Sequence, residues 1–145
     1  LRDADGKLKR VVLPIYGKGL WSTMYGFISL EADLQTVGGI TFYEHGETPG
    51  LGGEIASAKW QGHWPGKKVY AMEPAKLGED ENPDPVIHVV KGSPAESDPE
   101  SQYKIDGISG ATLTCNGVTD LMQFWLGDQG YGPYLKELAK KEAEK

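Results

Sequence analysis

The chain has 145 residues and a formal net charge of −6, with a pI near 5.0. This length suits one domain with a core of moderate size, and the ordinary hydrophobic content argues against global disorder. An acidic chain without a basic stripe is not built for nucleic acid, the lone Cys115 excludes an intrachain disulfide, and no apolar run reaches bilayer length.

Leu8–Leu13 reads as a strand closed by Pro14, and Gly17-Lys18-Gly19 as a loop. Thr23–Glu31 is aromatic and β-prone, Gly38-Gly39 marks a turn, and Ile40–His45 is the next strand, antiparallel to it. Gly46–Gly53 follows with 4 glycines in 8 residues, many for a mere connector. Glu54–Trp60 reads as a short helix and Lys68–Ala71 as a short strand. Two polar loops, Pro74–Pro85 and Gly92–Gln102, flank a strand at Val86–Val90, and Tyr103–Ile105 is a short strand beyond them. Val118, Leu121, Met122 and Trp125 then recur at helical spacing from Thr114 onward, with Gly127 as the stop. Gly117 inside those turns marks a close approach to a ligand or a strand. A last helix starts near Pro133. Strands first and helices late argue for an α+β domain over residues 1–145, with a largely antiparallel twisted sheet packed by helices.

The chemistry gathers at Asp106-Gly107-Ile108-Ser109-Gly110-Ala111-Thr112-Leu113-Thr114, a small-residue turn opening into the apolar-periodic run. Two readings fit. The hydroxyls of Ser109, Thr112 or Thr114 cap a helix in the ordinary way, or the helix start offers its free N–H groups and positive dipole end to a phosphate. Cys115 beside it is either a thiol of lowered pKa or a small buried apolar residue. His45, His63 and His88 lack ligand spacing, which argues against a metal site. Ser109 misses the hydrolase elbow by its second glycine.

Ser109–Thr114 resembles the S/T-G-A-S/T-x-T/S signature of domains carrying covalent FMN. Gly19-Leu20-Trp21, Met24-Tyr25-Gly26-Phe27 and Tyr43–Gly53, with its Glu47-Thr48-Pro49-Gly50-Leu51-Gly52 core, resemble the NqrC family of sodium-translocating NADH:quinone reductases. Part of the last motif is shared with the RnfG family of Rnf complexes, but the longer combination favours the NqrC family. The resemblance implies an FMN phosphoester on Thr114, installed by a flavin transferase from FAD onto a hydroxyl that must be reachable before loading. Ser109, Gly110, Ala111 and Thr112 would shape the phosphate turn. Thr48, Gly50, Leu51 and Gly52 would wrap the isoalloxazine ring, and Trp21 would wall it. Asp106 would hold the turn or assist loading.

The implied role is electron relay to a neighbouring flavin-bearing subunit of a bacterial inner-membrane complex, with this domain on the periplasmic side. The chain opens at Leu1 rather than Met and reads as a processed protein or an excised fragment, and the membrane helix that the resemblance implies is expected upstream. The rivals are an Rnf-type or free-standing covalent FMN domain and, from another class, a non-redox module whose turn holds some other phosphate ligand.

Overall fold

A computed structural model describes all residues, Leu1–Lys145. Strands β1 (Arg10–Lys18), β2 (Thr23–Glu31) and β3 (Val37–Glu44) form an antiparallel meander in the order β1-β2-β3. Alternation along each strand sends Leu13, Ile15, Met24, Ile28, Leu30, Ile40 and Phe42 to the buried face. Val12, Tyr16, Phe27 and Tyr43 stay exposed.

Two of the expected boundaries are overturned here. Pro14 does not close β1: the strand continues through it to Lys18, taking in Gly17 and Lys18. β1 lies at the edge of the sheet, where a residue without an N–H is tolerated. Gly38-Gly39 does not turn the chain but lies within β3, beside a register shift between Ser29 and Leu30. A side chain on Gly38 would crowd Glu31 Oε1 at 2.7 Å and Ser29 Oγ at 2.9 Å. The turn comes earlier, at Asp33. Its carboxylate accepts from Gln35 N (2.9 Å), Thr36 N (2.8 Å) and Thr36 Oγ1 (2.6 Å), and the buried Leu34 takes a left-handed φ of 59°.

The helix expected at Glu54–Trp60 is divided into a 3-10 segment, Gly52–Ala56, and a single turn α1, Ala58–Gln61. Ser57 between them accepts Trp60 N at 3.2 Å and caps α1. Trp60 and Trp64 are both buried, edge to face with centroids 5.6 Å apart. The strand expected at Lys68–Ala71 is reduced to isolated bridges, Thr36 with Lys68 and Tyr70 with Pro85. β4 (His88–Val89) and β5 (Lys104–Ile105) pair in parallel as a separate two-stranded element.

Helix α2 (Thr112–Leu126) packs on β1 and β4, and α3 (Gly132–Ala143) packs on the turn at Pro74–Lys76. Val118, Leu121 and Met122 enter the same core as the inner face of the meander. Trp125 is only half-buried and donates its Nε1–H to Tyr16 O at 2.7 Å, while Tyr70 OH donates to Leu126 O at 2.6 Å. These bonds tie α2 to its neighbours and hold its opposite end, with Thr114, at the mouth of the β1–β2 connection. The arrangement is the expected α+β one.

Candidate functional site

β5 delivers the chain to the small-residue turn. Gly107 N donates to Gly92 O at 2.8 Å, and a Cβ on Gly107 would strike the Val90 carbonyl oxygen. Asp106 holds this turn from both ends: its carbonyl accepts Trp60 Nε1 at 2.8 Å and its carboxylate accepts Ser93 Oγ at 2.7 Å. Gly110 sits at φ +74°, a conformation that favours glycine. Its missing side chain leaves room for Leu51, whose Cδ2 would be 3.1 Å from a Cβ there.

α2 then begins without the ordinary cap. The N-cap position is Ala111, which has no side chain to accept a hydrogen bond. The N–H groups of Thr112, Leu113 and Thr114 have no acceptor within the chain. The capping reading of Ser109, Thr112 and Thr114 is therefore overturned. What remains is a helix start of 3 unpartnered donors at the positive end of a 15-residue helix. Ser109, Gly110 and Thr112 are exposed there, along a cleft of about 450 Å³ that Asn116 and Ser93 also line.

Thr114 lies on the opposite side of the helix start. It is 2% exposed, and its hydroxyl donates to Glu47 Oε1 at 2.9 Å. The expectation of a reachable hydroxyl is not met in this conformation. The reason is packing: Gly52 lies directly over Thr114 Oγ1, so closely that any Cβ on Gly52 would collide with it.

Glu47 organises the site. Besides Thr114 it accepts Leu20 N (2.6 Å), Trp21 N (3.0 Å) and Ser22 Oγ (2.8 Å). Burial acts to raise its pKa. The bonds from Ser22, Leu20, Trp21 and Thr114 outweigh it and hold the carboxyl below its ordinary value of 4.5, so Glu47 is an anion at neutral pH. One buried carboxylate thus joins three segments that are far apart in sequence. Glu47 is not among the site residues expected from sequence; its only signal there is a glutamate opening the Thr-Pro-Gly loop. His45 serves the same loop, its Nδ1 accepting Glu47 N at 3.1 Å.

Around this pair the apolar side chains face outward. Trp21 is 70% exposed, Leu113 60%, Leu20 45% and Leu51 44%. Thr48 and Gly50 are exposed in the loop that Thr48 O closes by accepting Leu51 N (3.0 Å) and Gly53 N (2.9 Å). The structure thus brings together Trp21, Thr48–Gly52 and Ser109–Thr114, and leaves Asp106 at the base of the turn. Cys115 is buried, and burial pushes its thiol up, so it is not a low-pKa thiolate.

A family model described as an FMN-binding domain matches residues 19–127, from the Leu20–Trp21 loop to the end of α2. The chain belongs to the FMN-binding domain family. Relatives similar to it are named as NqrC, one of the subunits of the Na(+)-translocating NADH-quinone reductase. The protein from Yersinia pestis is 47% identical over 138 residues, covering 95% of this chain and 47% of that protein. The one from Pasteurella multocida is 50% identical, covering 95% and 48%. The chain spans about half the length of these curated relatives. Among solved structures, NqrC from Shewanella oneidensis matches with a TM-score of 0.79 at 38% identity, over 95% of this chain and 58% of that one. An FMN-binding domain needs donors for a phosphate and flat apolar cover for a ring. The uncapped start of α2 and the outward-facing Trp21, Leu51 and Leu113 fit that need.

Proposed function

We propose that this chain is the FMN-bearing, electron-carrying domain of an NqrC protein of the Na+-translocating NADH-quinone reductase, with FMN joined through its phosphate to Thr114. The observation that carries the reading is the α2 N-terminus: three unpartnered backbone N–H groups in the same first turn as Thr114, whose hydroxyl is engaged by a buried carboxylate. The naming of the relatives favours NqrC over RnfG.

In this reading Ser109, Gly110, Thr112 and the first-turn N–H groups bind the phosphate, and Ala111 keeps the cap position free of a competing side chain. Leu51 and Trp21 cover the ring, Thr48 offers a hydroxyl to its polar edge, and Gly50 and Gly52 let the loop lie close. FMN, when bound, supplies the redox chemistry; the protein fixes its position and tunes its surroundings. A covalent link suits a relay, because a carrier that lost its cofactor would break the electron path. The partners proposed are a neighbouring flavin-bearing membrane subunit and a flavin transferase using FAD. The proposed location is the periplasmic side of a bacterial inner membrane, tethered by a helix outside this chain.

The exposed hydroxyl of Thr112 is the rival attachment point, because Thr114 is covered. The experiment is the intact mass of the chain after coexpression with a flavin transferase, beside Thr114→Ala and Thr112→Ala. A gain of FMN less one water, lost in Thr114→Ala and kept in Thr112→Ala, is the expected result. The reverse pattern moves the ester to Thr112. No gain, with a transferase active on a control, overturns the covalent attachment and leaves a binding or structural domain.

A further inference from the structure

We propose that Glu47 is a positioning residue for the flavin ring: it accepts the backbone N–H groups of Leu20 and Trp21, one on each carboxylate oxygen, and so holds the Trp21 indole where the ring is to lie. This deepens the FMN reading and rests on Trp21 as a wall of the ring site, whichever threonine carries the ester.

The connection from β1 to β2 is built on this carboxylate. Gly19 N donates to Ser22 O at 2.8 Å and closes the turn. Inside it, Leu20 N reaches Glu47 Oε1 at 2.6 Å and Trp21 N reaches Oε2 at 3.0 Å. Ser22 Oγ donates to Oε2 at 2.8 Å and accepts Gly46 N at 2.7 Å, which ties the turn to the start of the Glu47 loop. A Cβ on Gly19 would collide with Oε1, so the turn lies directly on the carboxylate. Successive N–H groups converging on one anion form a nest. This nest needs two acceptor oxygens. A glutamine has one, and would turn its NH2 towards the other N–H. The hydroxyls of Ser22 and Thr114 can rotate to accept from that NH2; a backbone N–H cannot.

Two further observations point from the nest to the ring. Trp60 and Trp64 stack on each other, and Trp125 packs on Tyr16, whereas the exposed Trp21 has no aromatic neighbour in the chain. Its backbone is fixed while its indole is left unpacked. Burying an anion is also costly, yet the turn that the buried Glu47 organises contributes little to the core, since Leu20 and Trp21 both face outward. A rigid turn that carries an unpacked indole is preorganised for a flat partner. The isoalloxazine ring of FMN is such a partner.

The test separates positioning from general stability. In the flavin-free chain, amide hydrogen exchange is followed by NMR. In Glu47→Gln the amide of Leu20 or Trp21 should exchange at least about 10-fold faster, the loss of one hydrogen bond to a charged group, while the amides of β2 change less. In the chain loaded with FMN by coexpression with a flavin transferase, flavin fluorescence is compared. It should rise in Glu47→Gln, as in Trp21→Ala, because the indole no longer quenches the ring. The rise should vanish when Glu47→Gln is made on the Trp21→Ala background, since two residues that act as one unit are not additive. Ile28→Val, a buried core change, controls for lost stability and should keep the wild-type fluorescence. If Glu47→Gln does not fold, Glu47→Asp takes its place: its carboxylate is one methylene shorter and cannot reach both N–H groups, so the same results are expected.

Unchanged exchange at Leu20 and Trp21, unchanged fluorescence, or an equal rise on the Trp21→Ala background overturns the positioning role and leaves the FMN reading intact. A folded Glu47 variant that takes up no FMN where Trp21→Ala does overturns it too, and assigns Glu47 to the phosphate end. Unchanged fluorescence in Trp21→Ala removes the Trp21 wall and the positioning role together. A wild-type chain that takes up no FMN, with a transferase active on a control, overturns the proposal along with the covalent attachment.

Discussion

Gly117 of α2 lies against the carbonyl oxygen of Lys18, the last residue of β1, with Gly19 Cα 3.2 Å from where a Cβ would be. This contact sets how near the helix carrying Thr114 comes to the Leu20–Ser22 loop, and so whether Glu47 can reach both. Gly117→Ala should therefore destabilise the protein. Overpacking against backbone costs about 1–3 kcal/mol, while alanine returns up to about 1 kcal/mol of helix propensity. A lower denaturant midpoint is the expected outcome. An unchanged or higher one would mean that α2 has room to shift.

Gly52→Ala tests the other wall of the site. Its Cβ would meet Thr114 Oγ1 directly and Glu47 Cβ at 3.2 Å. The expected result is a loss of covalent FMN after coexpression, read by intact mass, together with a stability loss of about 1–3 kcal/mol. Full loading with normal stability would show that the loop lifts away freely.

Acid should weaken the fold through Glu47. Its folded-state pKa lies below the ordinary 4.5, so its contribution is fully present above the unfolded value and is lost as pH falls through the depressed one. Asp33 acts in the same sense from an ordinary 3.8: burial opposes ionisation, and the bonds from Thr36 and Gln35, with Lys68 nearby, outweigh it. Urea midpoints taken from pH 7 downward should hold steady and then decline below about pH 4.5, the unfolded carboxyl range. Glu47→Gln should start lower at pH 7 and decline less steeply. A parallel decline in the variant would rule out Glu47 as a source of the acid sensitivity.

Trp21 separates binding from folding. At 70% exposure its indole contributes little to the core, so Trp21→Ala should shift stability by no more than about 0.5 kcal/mol. In the loaded protein, visible circular dichroism and flavin fluorescence should change as an aromatic wall is removed. An unaltered flavin spectrum would place the ring elsewhere.

Much of the fold was legible because it depends on local period and composition. The strand at Thr23–Glu31 follows from its aromatic, β-prone composition, and the helical run Val118, Leu121, Met122 from its spacing. The boundaries that misled are those at glycine and proline. Gly38 is a glycine within a strand because the Glu31 and Ser29 side chains crowd that position, and Pro14 is tolerated because β1 is an edge. Neither fact exists until strands are paired. The tryptophans tell the same story, since nothing local distinguishes the buried Trp60 and Trp64 from the exposed Trp21.

By itself the sequence determined the α+β class, the place where a helix opens on a small-residue turn, and the motifs that relate this chain to FMN-binding domains. These are properties of contiguous residues. Only the tertiary structure decided that Ala111 leaves the helix start uncapped, that Thr114 is covered by Gly52, and that Glu47 binds Leu20, Trp21, Ser22 and Thr114 at once. A carboxylate's partners depend on which loops the packed sheet and helix bring within about 3 Å, the reach of a hydrogen bond, and no spacing along the chain encodes that distance.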